Sequence, residues 1–141
     1  DIIVADERAL IGDPHVKVGL VAGDGGAIIW PQLIGFARAK EMLLTGEMLR
    51  GTEAAAMGLI NYAVPADELD AKVDEMVGKI LANPRWAVRW TKTAVNLVLR
   101  DISNTVTETA IAYEINSNAT KDRQEAVSAF VEKRAPNYTG E

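Results

Sequence analysis

The sequence contains no cysteine, one histidine and few aromatic side chains: three Trp, three Tyr and two Phe. The missing cysteines exclude a disulfide framework and any thiolate metal site, which fits a reducing compartment. No apolar run approaches the roughly 20 residues that a membrane-spanning helix needs. The chain also lacks a basic stretch followed by an apolar one at its start, so no signal peptide is legible and a cytoplasmic protein is expected. Basic residues are outnumbered, 15 against 20 acidic, for a net charge of −5. That balance argues against nucleic acid as a partner, because neutralising phosphates takes clustered Lys and Arg. What is present is one domain's worth of chain: 141 residues, 48% of them hydrophobic, enough for a core.

Two kinds of periodicity divide the chain. Ile2-Ile3-Val4-Ala5 is apolar and β-branched, the composition of a buried strand. Its position implies a chain that opens inside a domain. Asp13-Pro14 marks a break before an expected short strand over residues 16–18. Ala22-Gly23-Asp24-Gly25-Gly26 reads as a turn, with Asp24 placed to cap a helix that Pro31 shortens or kinks. A helix is expected over 36–45 with Gly46 as its stop. A second, over 53–57, has Thr52 as cap and Gly58 as stop. Residues 59–64 read as a strand ended by Pro65.

Beyond Pro65 the spacing is helical throughout. Leu69, Val73, Val77, Ile80 and Leu81 define one helix, with Asp67 as cap and Asn83-Pro84 as stop. Trp86, Trp90, Ala94 and Leu97 define the next, and Val106, Ala110 and Tyr113 a third. A final helix over 122–132 places Ala126, Val127, Phe130 and Val131 on one side. Such faces must be buried against something, and part of that surface can be another subunit. Trp86 and Trp90, one turn apart, suit a core or interface better than a cofactor box.

Several motifs taken in order carry a resemblance. Gly12-Asp13-Pro14-His15, followed by Ala22-Gly23-Asp24-Gly25-Gly26, resembles the Pro-Glu pair and Pro-Gly-x-Gly-Gly turn of the enoyl-CoA hydratase/isomerase (crotonase) family. Leu43-Leu44-Thr45-Gly46-Glu47, Ala54-Ala55-Ala56-Met57-Gly58-Leu59-Ile60-Asn61 and Val64-Pro65 are similar to its next stretch. Asp122-Arg123-Gln124-Glu125-Ala126 to Phe130-Val131-Glu132-Lys133-Arg134 looks like its last helix. The resemblance runs in register along essentially the whole chain. It implies an α/β fold of the ClpP/crotonase type, a spiral of ββα units. Here residues 1–64 would be the C-terminal part of the core, and 65–141 the helical oligomerisation region of a homotrimer or hexamer. It also implies a CoA thioester as substrate, with no further cofactor, and an enolate-like oxyanion held by two backbone N–H groups. In the family those donors and a first catalytic glutamate belong to the N-terminal half, which these motifs do not include.

The same resemblance singles out three residues. His15 stands where hydratases of the family carry their second catalytic glutamate. A histidine can do general acid–base work near neutral pH, or it can simply fill the pocket. Asp24 lies one position beyond the residue matching the aspartate of dienoyl-CoA isomerases. With His15 it also resembles the histidine–aspartate pair of the fold's β-diketone hydrolases; as an N-cap it would need no chemistry. Lys133 matches a region that reaches CoA phosphates or adenine, or it is a solvated cation favouring a helix C-terminus. Phe130 can line an adenine pocket or pack in the core. The glycine-rich turn lacks the lysine and spacing of a phosphate loop; its glycines permit positive φ or a close approach of backbone. No metal is implied, because a lone histidine needs carboxylate partners that the sequence does not place. Three readings stay open: a hydratase or isomerase, an acyl-CoA-binding protein without turnover, and a C–C bond hydrolase.

Overall fold

A computed structural model describes all 141 residues. The elements run β1 (Val4–Asp6), β2 (Leu10–Ile11), a 3-10 turn (His15–Val18), α1 (Gly26–Ile34), α2 (Phe36–Thr45), β3 (Leu49–Arg50) and α3 (Gly51–Met57). β4 (Tyr62–Val64), a second 3-10 turn (Ala66–Glu68), α4 (Leu69–Leu81), α5 (Arg85–Asn118) and α6 (Lys121–Glu132) complete the chain. They group into two compact units, each built from discontinuous stretches. One comprises residues 1–11 and 49–105, the other residues 12–48 and 106–141.

In the first unit β1 pairs in parallel with β4, Val4 opposite Tyr62 and Asp6 opposite Val64. A parallel pair needs a long crossover connection, and here β2, α1, α2, β3 and α3 lie between the two strands. β2 pairs antiparallel with β3. α3 starts where Glu53 reaches back to accept the Arg50 N–H at 2.7 Å. Arg50 is therefore its N-cap and Thr52 lies within the helix. Gly51 admits the chain here, since a Cβ would stand 2.3 Å from the Asp6 carbonyl oxygen. Gly58 ends α3 in the left-handed conformation, φ 87°. The strand expected over 59–64 is accordingly shorter. The Leu59 N–H still bonds back to Ala54 O, and the Asn61 side chain accepts the Ile3 N–H at 2.9 Å. Only the last three residues remain for the ladder. Ala54, Leu59 and Ile60 are buried.

In the second unit α1 packs on α2, burying Ile28, Ile34, Ala39 and Met42. Ala110, Ala126 and Ala129 supply small buried contacts from α5 and α6. α2 spans the expected residues, and Gly46 closes it at φ 62°. Pro31 lies inside α1, which is only nine residues long.

Three further sequence expectations are corrected. Residues 16–18 are not a strand but a 3-10 turn, because Pro14 O accepts the Lys17 N–H and the Asp13 carboxylate accepts the His15 N–H. Asp67 does not cap α4; it sits in the 3-10 turn ahead of it, where Glu68 is the N-cap without a side-chain bond. The two helices expected after Pro84 are one, α5, of 34 residues. No Gly or Pro interrupts it, and the Thr105 hydroxyl donates back to Asp101 O at 2.9 Å instead of starting a new helix.

Candidate functional site

The turn carrying His15 is built by local chemistry. Asp13 is 8% exposed, and one of its oxygens serves both the His15 backbone N–H, at 3.3 Å, and the ring Nδ1, at 2.5 Å. A buried carboxylate tolerates this only with hydrogen-bond partners. Gly26 makes room for it, because a Cβ there would fall 2.1 Å from Asp13 Oδ2. Gly19, at φ 72°, ends the turn. From elsewhere in the same unit, the Arg123 guanidinium donates to Val18 O at 3.1 Å and the Tyr138 hydroxyl to Lys17 O at 2.7 Å.

Across the imidazole stands Asp24, its Oδ2 3.8 Å from His15 Nε2. That is within ion-pair range but too long for a hydrogen bond. Asp24 caps nothing: the N-cap of α1 is Gly25, with no side-chain bond. The capping role expected of Asp24 is thereby removed, since the turn swings its carboxylate away from the helix start and towards His15. Gly23 and Gly26 serve close approach rather than positive φ. A Cβ on Gly23 would meet Ala110 O at 2.3 Å, and none of Gly23, Gly25 and Gly26 is among the positive-φ glycines.

His15 titrates above its ordinary value. The hydrogen bond that the ring donates to Asp13 is the main cause, partial burial opposes it, and the charges of Asp13, Asp24 and Glu114 add to the rise. Stabilising the imidazolium in this way is what neighbouring carboxylates do.

His15 and Asp24, singled out from the sequence, are thus brought together, and Asp13 and Glu114 are the neighbours it missed. The signal for Asp13 was in the motif itself: an aspartate two residues before a histidine can turn back onto it. Glu114 lies 99 positions away along α5, and no local pattern announces it. The carboxylates that the sequence did not place beside the histidine are therefore present. Donor atoms of Asp13, His15 and Asp24 lie within 4.8 Å of one another, although the Asp13 hydrogen bond already occupies Nδ1.

Lys133 lies apart from this cluster, sharing no hydrogen bond or ion pair with it. It is exposed and forms the left-handed C-cap of α6, φ 54°, the one non-glycine residue with positive φ. Phe130 is 82% exposed and takes no part in the core that these residues form: Ala126 and Ala129 hold the buried face of α6. Trp86 and Trp90 stack on each other, 5.4 Å between centroids, and both remain exposed. A concavity of about 740 Å³ in the first unit is lined by Ile80, Val88, Val95 and Leu99 among others; it contains none of these site residues.

The family model for enoyl-CoA hydratase/isomerase matches residues 1–141, and the chain belongs to that family. Its fold is accordingly the crotonase fold. Among characterised relatives it is similar to crotonyl-CoA hydratase of Syntrophomonas wolfei, 35% identical over 98% of this chain and 53% of that protein. Among solved structures it resembles a carnitinyl-CoA dehydratase from Mycobacterium avium, with TM-score 0.93, 30% identity, and coverage of 100% of this chain and 56% of that one. A β-diketone hydrolase from the cyanobacterium Anabaena matches with TM-score 0.75 and 30% identity over 81% of this chain and 46% of that one. The chain spans about half the length of the curated relatives it matches.

Proposed function

We propose that the protein processes acyl-CoA thioesters as an enoyl-CoA hydratase or isomerase, with His15 as its proton-transfer group. One observation carries this reading: in a chain matched by the family model from end to end, the imidazole sits among carboxylates. It occupies the turn where the resemblance places the second hydratase glutamate. In hydration, a neutral His15 takes a proton from the attacking water as its oxygen bonds to the β-carbon. The resulting imidazolium returns a proton to the α-carbon as the enolate collapses. In isomerisation the same group removes a proton from one carbon and delivers it to another. The raised titration of His15 favours the delivering half, which needs the imidazolium. The enolate oxygen would rest on the two backbone N–H groups that the resemblance assigns to the N-terminal half. The test is loss of the conjugated thioester absorbance of crotonyl-CoA with the full-length protein. We expect turnover that falls by roughly 10²-fold or more in His15→Ala, the scale of general acid–base catalysis. Unchanged turnover in that variant would remove His15 from the chemistry.

A second reading, water-driven C–C cleavage of a β-diketone, is favoured by the 3.8 Å approach of His15 to Asp24 and by the likeness to the Anabaena hydrolase. There water adds to one carbonyl, the C–C bond breaks, and the released enolate is protonated at carbon. Loss of a cyclic 1,3-diketone with no action on crotonyl-CoA would select it. Binding of acyl-CoA with neither reaction would select the non-catalytic reading.

A further inference from the structure

We propose that Asp13 is a positioning residue that fixes the tautomer of His15, so that Nε2 is the atom through which this site exchanges protons. Because it names the working atom of His15, it rests on the proton-transfer role assigned above. The geometry is asymmetric about the ring. On one side, an almost fully buried carboxylate lies 2.5 Å from Nδ1 and also holds the backbone N–H of the same residue. A carboxylate only accepts, so the bond to Nδ1 requires a proton on that nitrogen. In the neutral ring the lone pair is then on Nε2. On the other side, Nε2 faces Asp24 at 3.8 Å, and Asp24 is exposed.

The two aspartates therefore have different parts. Asp13 is sealed beneath Gly26, where even a methyl group would collide with it, and nothing arriving from solvent can take its place at Nδ1. Asp24 stands at the exposed side, where a substrate or water atom can contact both its carboxylate and Nε2. A second nitrogen held by a fixed carboxylate is the usual way in which a histidine's orientation and tautomer are set. The residues that bear on the imidazole charge from the surrounding elements are Asp13, Asp24 and Glu114, and only Asp13 is hydrogen-bonded to the ring.

Nitrogen-15 NMR of the full-length protein decides the matter, because His15 is the only histidine among these 141 residues and its signals are assigned by their loss in His15→Gln. Above the His15 titration, the wild type is expected to show a protonated Nδ1 and an unprotonated Nε2. In Asp13→Ala the two signals should move towards the opposite tautomer, while kcat falls about 10²-fold with KM changed less than about threefold. A wild-type ring protonated on Nε2, or an Asp13→Ala ring with its tautomer unchanged, would overturn the proposal. The wild-type spectrum alone suffices should the variant fail to fold. If no acyl-CoA or diketone is turned over, the functional reading falls and the assignment of Nδ1 to Asp13 is still decided by the spectrum.

Discussion

At the scale of single residues, the charge of His15 is tied to folding. Its folded-state titration lies above that of a free imidazole, chiefly through the bond to Asp13. The unfolded chain, with an ordinary value near 6.5, releases its proton first as pH rises. The stability this site contributes is thus fully present below that value and is lost as pH climbs through the higher folded value. Denaturant midpoints of wild type and His15→Gln should therefore be furthest apart at acidic pH and converge towards alkaline pH. A gap that widens with pH would reverse the assignment. Gly26 offers a second check. An alanine there must displace the Asp13 carboxylate, which its methyl would meet at 2.1 Å. Overpacking of this kind costs about 1–3 kcal/mol. Gly26→Ala should lower the unfolding free energy by that amount and broaden the His15 ring signals, whereas alanine at Gly25, with open space around it, should leave those signals unchanged.

At the scale of elements, α5 separates two readings of the chain. If the stretch between Leu97 and Val106 ended one helix and began another, proline would be tolerated at the junction. In a continuous helix the exposed Asn104 lies in the interior, and Asn104→Pro should cost about 3 kcal/mol or more, measured by chemical denaturation. The sequence described α2, α4 and α6 closely because each has a strong apolar repeat and a glycine, proline or threonine at its boundary. It divided α5 in two, one helix read through Leu97 and the next from Val106, whereas the Thr105 hydroxyl donating back to Asp101 O marks a helix interior between them. The turn at His15 was misread for a related reason. Val16 and Val18 have the alternation of a strand, but no strand partner exists, and the Pro14 carbonyl and Asp13 carboxylate take the N–H groups first. His15 and Asp24 were legible by resemblance, and their juxtaposition depends on a turn that the resemblance alone did not fix. Lys133 was legible by resemblance to a region that reaches CoA, or as a basic residue near a helix end, and no hydrogen bond or ion pair of its side chain separates the two.

At the scale of the whole molecule, the helices retain much apolar surface. Trp86, Trp90, Leu44, Phe130 and Val131 are each more than half exposed, more than soluble surfaces usually leave uncovered without a partner. The chain spans about half of its relatives, so both further chain and further copies are available to cover them. Sedimentation of the full-length protein should give a trimer or hexamer. A monomer would mean that these faces are covered within one chain.

The Tyr138 hydroxyl, resting on the carbonyl of Lys17 two residues past the histidine, turns the tail into a natural reporter. A fluorophore or fluorinated tyrosine at that position would register movement of the turn that carries His15. Conversely, a fusion partner that pulls residues 135–141 away from α6 would alter the site without touching it. Engineering of this protein should therefore treat residues 135–141 as part of the support of the His15 turn rather than as a free handle.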